Sequence, residues 1–100
     1  MTYANAIERQ ALISAFRELA DFLESNPEVP APKYTDVLVF PLHVDSDAGQ
    51  RSEIDVIASL IGSGIEISPT RRHYTTSRQF GPVGYRAVAI PSDENKEQQK

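Results

Sequence analysis

RRHYTTSRQFGPVGYRAVAIP, residues Arg71–Pro91, is two strand-like runs joined by Phe80-Gly81-Pro82-Val83-Gly84, and it holds four arginines and no acid. His73, Thr75, Ser77 and Gln79 alternate with Tyr74, Thr76, Arg78 and Phe80; past the turn, Gly84, Arg86, Val88 and Ile90 alternate with Val83, Tyr85, Ala87 and Ala89. Period-two alternation on both sides of a Gly-Pro turn predicts a β-hairpin. A four-residue loop over Phe80–Val83 sets Gln79 opposite Gly84, Thr75 opposite Val88 and His73 opposite Ile90. Val88 and Ile90 mark the face expected to be buried. Tyr74, Thr76, Arg78, Tyr85 and the alanines are then expected on the open face, with Arg86 at the rim of the core.

Upstream of the hairpin, Ile65 and Ile67 alternate with polar residues for a short strand at most, and Gly62-Ser63-Gly64 ends a helix expected over Ala48–Ile61. Ile54, Ile57, Ala58 and Ile61 form its stripe. Val56 and Leu60 widen the apolar arc to about 200°, which implies cover on two sides. Asp47, three residues before Gln50, is the expected cap. The acids Asp45 and Asp47 do not make a calcium loop, because Gly49 sits fifth and Val56 twelfth, where that loop needs an acid or amide and a glutamate. Farther upstream, Asp36–Val44 (DVLVFPLHV) is apolar on both faces, as in a central strand, yet Pro41 cannot donate to a ladder and points to an edge or a bulge. A strand held inside through Phe40, then bulged or unpaired on one side, meets both demands.

The first helix has Leu12, Ala15, Phe16, Leu19, Phe22 and Leu23 on one side and Gln10, Ser14, Arg17, Asp21 and Glu24 on the other. Asn5 and Glu8 have capping-box spacing, and Asn26-Pro27 ends it. Its apolar face reads as a core face; too few heptads are present for a coiled-coil seam. Pro27, Pro30 and Pro32 make the following segment an extended connector, with a PxxP ligand as the alternative. The expected fold is therefore α+β in the order α-β-α-β-β, a single domain over residues 1–91 with two helices packed on a small sheet that ends in the hairpin. The polar tail, residues 92–100, is expected to be disordered.

Composition bounds the function. With 100 residues, 40% hydrophobic and 24% charged, the chain is an ordinary globular domain in size and make-up. Cysteine is absent, which excludes disulfides, thiol catalysis and thiolate metal sites. The longest apolar run falls far short of the roughly 20 residues of a membrane span, and no charged leader precedes an apolar run, so a soluble cytoplasmic protein without membrane contact is expected. Net charge is −4, but all of Arg71, Arg72, Arg78 and Arg86 fall in the hairpin stretch while residues 1–70 hold eleven acids against four bases. Those arginines with Tyr74 and Tyr85 suit a protein partner, since Arg and Tyr are enriched at binding hot spots. They also suit a nucleic-acid-binding β-ribbon, in which Arg contacts phosphate or guanine and Tyr stacks on bases. Self-association is a further possibility. The residue types for hydrolytic catalysis exist around His73 or His43, but no nucleophile elbow, phosphate loop or paired-histidine motif accompanies them, and neither a cofactor nor a metal is expected.

LADFLESNPEVPAP (Leu19–Pro32), EIDVIASLIG (Glu53–Gly62) and HYTTSRQFGPVGYRAVAIP (His73–Pro91) resemble, in order, a group of small uncharacterised proteins encoded by actinobacteria and their bacteriophages. Phe-Gly-Pro-Val-x-Tyr is the most recognisable part. The resemblance implies context rather than activity or residue roles: a cytoplasmic accessory protein of phage or mobile-element type, of the kind that binds a host protein or a nucleic-acid complex. The combined expectation is a non-catalytic binding or regulatory protein that contacts a protein partner through the open hairpin face.

Overall fold

The computed structural model describes residues 3–92, so the expected disordered tail lies, apart from Ser92, outside the described residues. The order is α1 (Ala6–Ser25), β1 (Thr35–Val39), α2 (Asp47–Ile61), β2 (Glu66–Ile67), β3 (Tyr74–Phe80) and β4 (Val83–Ala89). This is the expected α+β order with β2, two residues long, added to it. Two compact units divide the chain, Met1–Lys33 and Tyr34–Lys100.

In the first unit, the Asn5 side chain accepts from the Glu8 amide at 2.8 Å and the Glu8 carboxylate accepts from the Asn5 amide at 2.9 Å, which is the capping box that the spacing predicts. At the other end α1 stops at Ser25 as expected, and the cap Asn26, at φ −130°, donates its side-chain amide to the Phe22 carbonyl at 2.8 Å. None of the α1 residues is buried, so the apolar face read as a core face contributes nothing to the buried set among the described residues.

The second unit is a mixed sheet in the order β1-β4-β3-β2. Its hairpin has the expected register, with Gln79 opposite Gly84 and Thr75 opposite Val88. The loop is tighter than expected: Phe80 and Val83 are themselves paired, which leaves only Gly81 and Pro82 to turn. Gly81 has φ +61°, and proline must have φ near −65°, so the turn has the II′ sign pattern, whose twist matches that of paired strands. β1 runs parallel to β4, Thr35 beside Val83 through Val39 beside Ala87. The strand read as central is therefore at the edge of the sheet. It ends at Val39, and Pro41 is buried in the turn that follows, where its carbonyl accepts the Val44 amide at 3.2 Å.

α2 decides which hairpin face is the core. Its cap is Ser46, one residue before the expected Asp47, accepting from the Gly49 amide at 2.9 Å. Asp47 instead accepts from the backbone and hydroxyl of Ser92. Gly62 closes the helix at φ +71° with its amide on the Ala58 carbonyl. Ile54 and Ile57 pack with Ala87 and Ala89, and Val39, Ile61, Ile65, Tyr74 and Tyr85 line this cluster. The face expected to be open is thus the one that α2 covers. Thr76 lies within it and is satisfied, its hydroxyl donating to the Gly64 carbonyl at 2.9 Å. On the other face Val88 is buried, while Ile90 is 37% exposed.

Ala87→Leu tests this inversion. The added isobutyl bulk beside Ile54 overpacks the core and should cost about 1–3 kcal/mol in urea unfolding; an unchanged midpoint would place that face in solvent, as first expected.

Candidate functional site

The turn before β3 is built by Ser68. Its hydroxyl accepts the Arg71 amide at 3.1 Å, its carbonyl accepts the Arg72 amide at 2.9 Å, and its own amide donates to the His73 carbonyl at 3.0 Å. Arg72 takes φ +57°, a left-handed conformation uncommon for side chains other than Gly and Asn. Arg71 and Arg72 thus project from an exposed turn rather than from the ribbon itself. Nothing in the residue types of this turn signals that an arginine would occupy the left-handed position.

The hairpin arginines separate. Arg78 shares a face with Tyr85, its partner in register, and its guanidinium lies 5.2 Å from the centre of the Phe80 ring, within cation–π range. Arg86 is on the opposite face, beside Ser77 and Leu38, with its Nε 3.5 Å from the Asp36 carboxylate. Both members of that pair are partly exposed, so it contributes at most about 1 kcal/mol. Gly84 lets the pair form, because a β-carbon there would meet the Asp36 carboxylate and come within 2.7 Å of the Gln79 side chain. The six residues singled out from the sequence therefore lie in three places: Arg71 and Arg72 on the turn, Tyr74, Arg78 and Tyr85 on the α2 face, and Arg86 on the reverse.

Tyr74 and Tyr85 pack against the core cluster. Tyr74 also donates its hydroxyl to Asp55 at 2.6 Å, tying β3 to α2. That bond to a carboxylate, then burial and the Asp55 charge, hold the phenol above its ordinary 10.0, with Arg51 opposing. What the hairpin leaves open on this face is its turn end. Phe80 is 56% and Val83 41% exposed, and Arg78 lies beside them. On α2 itself, the residues that widen the apolar arc, Val56 and Leu60, are exposed.

The histidines lie apart. His43 Nε2 is 3.7 Å from Glu53, an ion pair only when the imidazole is protonated. His73 lines an open groove of about 470 Å³ with Glu66, Ser68, Pro69, Thr75 and Arg86 on the reverse face. A second crevice, lined in part by Asp47, Arg51, Arg72 and Tyr74, measures about 10 Å³, room for no more than one water. Among the described residues no group of three His, Asp or Glu is placed to hold a metal ion, and no helix is long and apolar enough to cross a membrane. No protein-family model matches the chain, and neither a curated protein nor a solved structure does.

Tyr74 provides a test of the β3–α2 tie. Because the folded phenol titrates above the unfolded one, its contribution is complete below pH 10 and is lost as pH rises through the raised folded value. Tyr74→Phe should lower stability by about 0.5–1.5 kcal/mol at pH 7, and the gap to wild type should narrow above pH 10. A gap that stays constant in urea unfolding up to pH 11 would mean that the bond to Asp55 does not form.

Proposed function

We propose that the protein is a non-catalytic binding or regulatory accessory module that contacts a protein partner through the turn end of its C-terminal hairpin. The observation that carries this reading is the exposed cluster of Arg78, Phe80 and Val83 on the part of the α2 face beyond the core cluster. An aromatic ring and an aliphatic side chain held beside a guanidinium by a two-residue turn offer a rigid apolar anchor with a charged rim, the composition of an interface hot spot. The exposed Val56 and Leu60 of α2 supply further apolar surface on the same unit. The resemblance to actinobacterial and phage proteins adds the accessory context.

Nucleic-acid binding is the less supported alternative. A β-ribbon in a groove needs its arginines on one surface, whereas Arg78 and Arg86 lie on opposite faces and Arg86 is paired with Asp36. The net charge of −4 also opposes a polyanion.

Affinity capture from host lysate, with and without nuclease, separates these readings. Wild type should retain a specific protein, nuclease should not release it, and Phe80→Ala or Arg78→Glu should reduce retention at least tenfold, since hot-spot truncations cost about 2 kcal/mol or more. Retention that nuclease abolishes, or that survives both substitutions, would overturn the assignment of this surface to a protein partner.

A further inference from the structure

The most apolar run of the chain has become a sheet edge. β1 pairs with β4 on one side, and among the described residues no strand pairs with the other. The Thr35 amide donates to the Pro82 carbonyl at 3.1 Å, so Thr35, Val37 and Val39 turn their amides toward β4, and Asp36 and Leu38 turn theirs outward. Edge strands are ordinarily protected by charge, by proline within the strand or by brevity. β2 has that brevity, at two residues. β1 has little of it: its one charge, Asp36, is engaged by Arg86 within the same sheet, and Pro41 lies past the end of the strand. Tyr34, Leu38 and Phe40, all on the reverse face in strand parity, are exposed at 78%, 51% and 38%.

We propose that β1 is a homodimer edge, pairing antiparallel with β1 of a second copy about a two-fold axis at Val37 to make one continuous eight-stranded sheet. The sequence of the strand selects this occupant and register, because the pairing must be self-complementary. With Val37 opposite its own copy, Thr35 meets Val39, Asp36 meets Leu38 and Tyr34 meets Phe40, each twice. One face then carries only β-branched pairs and the other ends in aromatic pairs, both favourable across antiparallel strands. The parity agrees as well: Asp36 and Leu38, whose amides face outward, become the hydrogen-bonded pairs, and Val37 becomes the close, non-hydrogen-bonded pair. Centring on Asp36 instead would oppose two carboxylates. Centring on Leu38 would bring Pro41 into the ladder opposite Thr35. This edge is independent of the hairpin turn end, so either reading can fail without the other.

Sedimentation velocity over a wide concentration range tests it, since wild type should rise from 11.1 kDa toward twice that mass. Leu38→Pro removes an outward donor and a half-exposed side chain, changes that an edge strand tolerates; it should stay at the monomer mass with unchanged circular dichroism. The chain has no cysteine of its own, so Val37→Cys gives a clean second readout that does not depend on the proline variant folding. At a non-hydrogen-bonded pair the two Cα atoms lie about 4.5 Å apart, within disulfide reach. Val37→Cys should therefore form a covalent dimer under mild oxidation, and the control Ser59→Cys on α2 should do so at least tenfold more slowly. A wild type that is monomeric throughout, a folded Leu38→Pro that dimerises like wild type, or equal cross-linking of the two cysteine variants would each overturn the proposal.

Discussion

Everything in the second unit depends on how Ile54 and Ile57 of α2 meet Ala87 and Ala89 of β4. A helix approaches a sheet closely only where the residues beneath it are small, and two alanines spaced by two on a central strand provide such a floor for two isoleucines. Once α2 lies there, Tyr74 and Tyr85 become the walls of the core. Thr76 becomes a buried polar group bonded to the helix's exit loop, and Asp55 comes within reach of the Tyr74 hydroxyl. This arrangement leaves the turn end of the hairpin exposed, and among the described residues no strand pairs with the outward edge of β1.

The same contact explains why the hairpin's faces are inverted relative to the sequence reading. Side-chain size favours Val88 and Ile90 as the buried set, and burial of large aliphatic groups is the usual driving force. Here the large groups come from the helix, so the complementary strand residues are the small ones. Val88 is still buried, yet Ile90 is not, and the two faces of β4 differ in what packs on them more than in hydrophobicity. A basic patch read from a single strand therefore divides between Arg78 and Arg86 as soon as the sheet has two distinct faces.

The position of β1 has a related cause. Apolar residues on both faces of a strand signal cover above and below, but they do not say how many neighbours the strand has in the plane of the sheet. In-plane position depends on which strand, however distant in the chain, supplies the partner ladder. Here the parallel partner of β1 is β4, reached only after α2, β2 and β3. β1 is left with one open ladder among the described residues, and its single charge, Asp36, is paired with Arg86 within the same sheet.

The local sequence by itself determined the helices, the capping box at Asn5 and Glu8, the glycine stop at Gly62 and the register of the hairpin, because each follows from short-range stereochemistry and alternation within a few residues. It also established the absence of thiol chemistry and the concentration of arginine near the C-terminal hairpin. Only the tertiary structure decided which face of the hairpin is core, that β1 is an edge, and that Arg86 belongs with Asp36 rather than with Arg78. Those outcomes depend on α2 settling over Ala87 and Ala89 and on β1 pairing with a strand more than forty residues away, and no local pattern records a contact between segments that distant.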